Sequence, residues 1–144
     1  LRTIALAYRE VPDKDSFSAK EVEQELSRVD TPEDVQRFPK GVRGMREFQV
    51  ISKSITSRSR AGYYPGGYPL TVKLIVERTS GRLLGAQLVG REGAALRVNI
   101  FAAALYTRMT VEDLAQLDLG YAPPFSPVWD PVLVAANETF KLLR

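Results

Sequence analysis

The sequence predicts an α+β domain in which an antiparallel sheet is covered on one face by helices, and three observations carry that prediction. Residues 70–90, LTVKLIVERTSGRLLGAQLVG, alternate apolar and polar side chains on both sides of a glycine-bearing turn. A second alternating run, REFQVISKSIT, precedes them from residue 46. After Gly90 the chain reads as helices joined by a proline-stiffened connection.

From the start of the chain, LRTIALAYREV has strand-like alternation through Ile4, Leu6 and Tyr8, and PDKD reads as a turn. SFSAKEVEQELSRV is an amphipathic helix with Ser18 as N-cap, Glu21 completing a capping box, and Val22, Leu26 and Val29 on one face. TPEDVQRF starts a second helix, with Thr31 as cap and Pro32 in the first helical position, and PKGVRG is loop. From Met45 the pattern turns to strand, through Phe48, Val50 and Ile55. In the hairpin, Val72, Leu74 and Val76 line one arm and Leu84, Ala86 and Leu88 the other, with Gly81 in TSGR placed for positive φ.

REGAALRVNIFAAALYTRM then reads as one long helix, apolar nearly all round, with alanines at 94, 95, 102, 103 and 104. So little polar surface implies burial or a partner, and small residues permit close helix approach. TVEDLAQLD is a short helix with Thr110 as N-cap and Asp113 in the capping position, and DPVLVAANETFKLL closes the chain as a helix capped by Asp130 with Pro131 first. The composition and pattern divide the chain into a divergent N-terminal segment, residues 1–47, with one or two helices, and a domain proper, residues 48–144. The chain starts at Leu1 rather than methionine, as a fragment or a processed chain would, and LRTIALAYRE lacks a signal-peptide pattern.

Absent residue types exclude whole classes of chemistry. With no cysteine, disulfides, thiolate metal sites, iron–sulfur clusters and cysteine nucleophiles are excluded within these 144 residues. With no histidine, Ser-His-Asp and Cys-His catalysis and histidine-bearing zinc sites are excluded too. The carboxylates are scattered, with no paired spacing that suggests a metal or glycosidase site. A net charge of +3 is too mild to make nucleic acid the default partner, and no apolar run approaches the roughly 18–20 residues of a membrane span.

Two aromatic segments stand out. GYYPGGYP, residues 62–69, packs three tyrosines, three glycines and two prolines into eight positions. It lacks the GK[ST] of a P-loop and opens no helix, so it reads either as a strand connection whose tyrosines pack on its own surface or as a contact surface. LGYAPPFSPVWD, residues 119–130, holds Tyr121, Phe125 and Trp129 on a backbone stiffened by three prolines. Trp129 is expected to seal the end of the core, whereas Tyr121 and Ser126 are open between packing and ligand contact. The run SKSITSRSR brings Lys53, Arg58 and Arg60 up to the first tyrosines, as a solvated edge or a site for one phosphate-bearing ligand. Single-stranded nucleic acid is the weaker reading of the same pattern.

In combination, SRAGYYPGGYPLTVKL, GRLLGAQLVGREGAALRVNIFAAAL and MTVEDLAQLDLGYAPPFSPVWDPVLVAAN resemble the C-terminal dimerisation domain of the FAD-dependent pyridine nucleotide-disulfide oxidoreductases, nearest the coenzyme A-disulfide reductase and NADH oxidase branch. The likeness runs over roughly residues 55–140 without a visible gap. SFSAKEVEQEL resembles the family's first helix, while TPEDVQRFPKGVRGM looks like an insertion or an unrelated graft. The resemblance implies an FAD/NAD-linked reductase dimerisation-domain fold over residues 48–144. It implies a cytoplasmic homodimer formed through the alanine-rich helix and sheet, with no membrane or nucleic-acid partner. It further implies that Tyr63 or Tyr64, together with Tyr121, would reach the partner subunit's active site and touch the redox cysteine or a coenzyme A thiolate. Arg58, Arg60 and Ser126 are candidate ligand contacts for coenzyme A. FAD and NAD(P)H would belong to other domains of a parent enzyme, so this chain is expected to hold no cofactor or metal and to be no enzyme by itself. The alternative is a stand-alone binding module for coenzyme A or a similar phosphate-bearing ligand.

Overall fold

The computed structural model describes residues 5–10 and 49–144. The helices expected over residues 18–38 lie outside the described residues. Four strands form one sheet: β1 (Ala5–Glu10), β2 (Val50–Arg58), β3 (Pro69–Glu77) and β4 (Leu83–Gly90), in the spatial order β1-β4-β3-β2. Strands β2, β3 and β4 form the expected antiparallel meander, and β1 adds to the outer edge of β4 in parallel. The helices are α1 (Ala94–Tyr106), α2 (Val111–Ala115) and α3 (Pro131–Phe140), with a closing 3₁₀ turn at Lys141–Leu143.

Helix α1 lies against β4 and β1, while α3 lies against β2, β3 and α2, so the helices form a layer over one sheet face. The core between the layers is built from Leu70, Val72, Leu74 and Val76 of β3, Ala86 and Leu88 of β4, and Ala94, Val98, Phe101 and Ala104 of α1. Val111 and Leu114 of α2 and Val132, Ala135 and Ala136 of α3 close it. Strand β4 is buried along its whole length, on both faces.

Two details depart from simple alternation. A bulge between Ile75 and Val76 pairs Val76 with Leu83 rather than Leu84. Leu83 therefore joins the helix-side core cluster, whereas Leu84, expected in phase with Ala86, is buried outside it. In β2 the inward phase is Ile51 and Ile55, which pack on the core, and Val50 is exposed. The strand's phase is set by pairing, in which Ile51 meets Val76 and Ile55 meets Val72, so Val50 points the other way.

Local chemistry ends each helix. Helix α2 begins with a full capping box: Asp113 N–H donates to Thr110 Oγ1 at 3.1 Å, and Thr110 N–H donates to Asp113 Oδ2 at 2.9 Å. Asp130 caps α3 by accepting from Val132 N–H at 2.8 Å, and Pro131 fills the first turn, where no donor is needed. Helix α1 is shorter than expected because Gly93, at φ 80°, turns the chain in the left-handed region just ahead of it. Gly81 supplies the positive φ of the hairpin turn at 70°.

Leu74 is fully buried at the centre of the core. Leu74→Ala is expected to lower unfolding stability by about 2–5 kcal/mol in urea titration, from lost transfer energy and an unfilled cavity. The Asp113 carboxyl is held below the usual carboxylate range by the hydrogen bond from the Thr110 hydroxyl and then by that from its backbone N–H. A depressed folded-state pKa stabilises the fold above the unfolded-state value near 4 and loses that contribution as pH falls through the folded-state value. The melting-temperature gap between the protein and Asp113→Asn should therefore narrow from pH 6 towards pH 3.

Candidate functional site

The two aromatic segments meet. The loop from Ser59 to Tyr68 is closed at its base by Ser59 N–H donating to Tyr68 O at 2.8 Å and by Tyr68 N–H donating to Ser59 Oγ at 3.0 Å. Residues 122–126 form a tight turn in which Phe125 N–H and Ser126 N–H both donate to Ala122 O, at 2.8 and 2.9 Å. The two are joined by a backbone bond from Ala61 N–H to Pro123 O at 3.3 Å. At their tips the hydroxyls of Tyr63 and Tyr121 hydrogen-bond each other.

That bond raises the Tyr63 pKa, chiefly because the neutral phenol is held by Tyr121, with small contributions from desolvation and from the nearby Tyr121 charge. Two phenols share two protons, and their mutual bond uses one. The second remains available to an acceptor such as a carboxylate, a thiolate or a water. Tyr63 is 75% exposed and Tyr121 47%, so the pair stands open to the outside. Tyr64 takes a different role: its N–H donates to Ala61 O at 2.9 Å in the turn, and its ring is at the margin of exposure.

The other candidate residues support the loops. Arg58 donates to Gly67 O at 3.0 Å, and Arg60 donates to Pro65 O at 3.4 Å while pairing with Glu92 Oε2 at 2.8 Å. Ser59 Oγ donates to the other Glu92 oxygen at 2.7 Å. Ser126 is buried, and its hydroxyl lies 2.8 Å from Asp130 Oδ2 and 3.0 Å from Pro127 O.

Beneath both loops lies a charged cluster that sequence reading did not single out. Arg97 is 3% exposed and Asp130 5%. The Arg97 Nε donates to both Asp130 oxygens at 3.0 and 2.9 Å, and Nη2 lies 2.8 Å from Oδ2. Nη2 also donates to Ser59 O at 3.1 Å and Phe125 O at 3.4 Å, and Nη1 donates to Gly93 O at 3.1 Å. One guanidinium thus joins the end of β2, the turn before α1, the Phe125 turn and the cap of α3. The available signal was a lone cation in the apolar run AALRVNIFAAAL.

This cluster explains why Trp129 does not seal the core. Ser126 and Asp130 turn inward to Arg97, so the residues between and beside them turn outward, and Phe125, Val128 and Trp129 are 70%, 64% and 64% exposed. With Tyr63 and Tyr121 they line an apolar, hydroxyl-tipped surface. A second, mostly apolar strip, Leu96, Asn99, Ala103 and Tyr106, lies on the outward side of α1.

An α+β sheet-and-helix domain with so much apolar side chain left outside has the make-up of an interface module. A family model for the pyridine nucleotide-disulphide oxidoreductase dimerisation domain matches residues 41–131, and the chain belongs to that family. The chain is 42% identical over 90 residues to the CoA-dependent NAD(P)H sulfur oxidoreductase of Pyrococcus abyssi, covering 62% of this chain and 20% of the relative. It is 34% identical over 82 residues to the coenzyme A disulfide reductase of Staphylococcus epidermidis, covering 57% and 19%. Among solved structures, the NAD-dependent persulfide reductase of A. fulgidus superposes with a TM-score of 0.64 at 41% identity, covering 66% of this chain and 18% of that one. The chain thus spans about a fifth of the length of the curated relatives it matches. Among the described residues no helix is long and apolar enough to cross a membrane.

Two outcomes test this geometry. Tyr121→Phe removes the acceptor and donor facing Tyr63, so the Tyr63 phenol should titrate at lower pH, back towards ordinary tyrosine, when followed by NMR of ¹³Cζ-labelled tyrosine. Arg97→Met leaves Asp130 buried without its counter-charge, and urea unfolding should show a loss of about 3–5 kcal/mol.

Proposed function

We propose that this chain is the homodimerisation module of a coenzyme A-disulfide reductase-like flavoenzyme and that it supplies the Tyr63–Tyr121 pair to the partner subunit's active site. The observation that carries this reading is the convergence of two phenol hydroxyls, 58 residues apart in sequence, at the tip of an exposed apolar surface. A second copy would cover the outward strip of α1 and the Phe125–Trp129 segment. The hydroxyl pair would then face a thiolate, donate a hydrogen bond to it, and protonate a coenzyme A thiolate as it leaves. A phenol kept neutral at physiological pH suits that role. The names of the relatives, among them a CoA-dependent sulfur oxidoreductase and a coenzyme A disulfide reductase, support the substrate class.

FAD and NAD(P)H enter this proposal as cofactors of other domains. The glycine turn that opens α1 is no phosphate cradle, because the Arg97 guanidinium fills the space beside Gly93. The chain alone is thus proposed to be non-catalytic and, like a soluble reductase, cytoplasmic.

Sedimentation equilibrium at micromolar concentration should give a colourless dimer, and Phe125→Ser/Trp129→Ser should shift it towards monomer. A clean wild-type monomer, or bound flavin, would count against the proposal. In an enzyme carrying this domain, Tyr121→Phe should lower disulfide turnover by about 10²-fold while flavin content is unchanged.

A stand-alone module for coenzyme A or a similar phosphate-bearing ligand is the second reading. It is favoured by Arg58, whose exposed guanidinium sits on a carbonyl oxygen that does not neutralise its charge. Calorimetry with coenzyme A would then give saturable heat that Arg58→Ala abolishes, and no heat at millimolar ligand removes this reading.

A further inference from the structure

Among the described residues, backbone alone ties the two phenol-bearing loops to each other at one point, the 3.3 Å bond between Ala61 and Pro123. That bond is long, and one bond by itself does not fix the angle between the two loops. Tyr63 lies two residues beyond Ala61, and Tyr121 two residues before Pro123. A second anchor is needed to hold both tips in register, and the loops share one. The Tyr63 loop starts at Ser59, whose carbonyl accepts from Arg97 Nη2 at 3.1 Å. The Tyr121 segment runs through Phe125, whose carbonyl accepts from the same nitrogen, and through Ser126, whose hydroxyl reaches Asp130.

The rest of the surroundings keep that guanidinium in place. Asp130 holds it from the α3 side with both carboxylate oxygens, and Gly93 O holds it from the α1 side. A Cβ at Gly93 would lie 2.4 Å from Nη1, so only glycine leaves the guanidinium its seat. In arginine Nε faces the carboxylate while Nη2 reaches the two carbonyls and Nη1 reaches Gly93 O, and the one ammonium of lysine, on a shorter reach, cannot occupy all three positions.

We infer that Arg97, held by Asp130 and seated by Gly93, is a positioning residue for the tyrosine pair: it sets the two aromatic loops at the separation that lets the Tyr63 and Tyr121 hydroxyls bond. The inference rests on the proposed role of that pair and adds the residue that assembles it.

The test follows the Tyr63 ¹³Cζ resonance, assigned with Tyr63→Phe, through a pH titration of the 144-residue chain. Arg97→Lys keeps the charge opposite Asp130 but not the bridge to the two carbonyls. Asp130→Asn keeps the volume and the cap on α3 but releases the guanidinium. In either variant that melts cooperatively, the Tyr63 titration should move down to where Tyr121→Phe puts it. Combining Arg97→Lys with Tyr121→Phe should add no further shift. If Tyr121→Phe moves the titration and neither Arg97→Lys nor Asp130→Asn does, the positioning role is wrong and the pair stands. If Tyr121→Phe itself leaves Tyr63 unmoved, the pair is not formed, and the proposed function fails with it. Loss of cooperative folding in both variants also overturns the inference, because Arg97 would then serve the whole fold rather than the pair.

Discussion

The buried ion pair between Arg97 and Asp130 is the constraint on which the functional end of this domain depends. Two opposite charges removed from water are costly unless every donor and acceptor is matched. Here the match is close to complete: the guanidinium meets one carboxylate and three backbone carbonyls, and the carboxylate also takes Ser126 Oγ and the Val132 N–H. Those partners come from four separate segments. The pair is therefore less a source of stability than a specification of how β2, α1, α3 and the aromatic connection meet.

The polar cluster also decides where the apolar side chains go. In the twelve residues from Leu119 to Asp130, the inward positions next to Arg97 are taken by Ser126 and Asp130, and the large rings are turned out. The hydrophobic core is built elsewhere, by β3, β4 and the inner faces of the helices. A domain arranged this way has an apolar interior that secures the fold and a second, external apolar surface beside the tyrosine pair. Membership of a dimerisation-domain family gives that second surface a physical reason to exist.

Features encoded by a few neighbouring residues were legible in the sequence. The hairpin with Gly81 at its turn, the capping box of Thr110 and Asp113, and Asp130 with Pro131 at the head of α3 all rest on chemistry within four residues. Features decided by pairing were not. The phase of β2 depends on its register with β3, which turns Ile51 rather than Val50 inward, and the bulge at Ile75 exchanges Leu83 for Leu84. The edge strand β1 showed its alternation, but nothing local indicated that it would lie parallel to β4. At the site, the tyrosines were visible as unusual composition, whereas Arg97 was one cation in an alanine-rich helix. Its meaning lies in partners 33 and 38 residues away.

Those separations bear on how the molecule assembles. Strands β2, β3 and β4 are joined by short connections and form from contacts near in sequence, which close at small entropic cost. The charged cluster needs Ser59, Arg97 and Asp130 at once, and the tyrosine contact spans 58 residues. On a chain made from its amino end, the tyrosine contact waits for Tyr121 and the charged cluster for Asp130. The meander and α1 are complete in sequence before either, so both features join later segments to a sheet and helix made earlier. A chain with sheet and helix formed but without Asp130 in place would carry both tyrosines without the charged cluster beneath them.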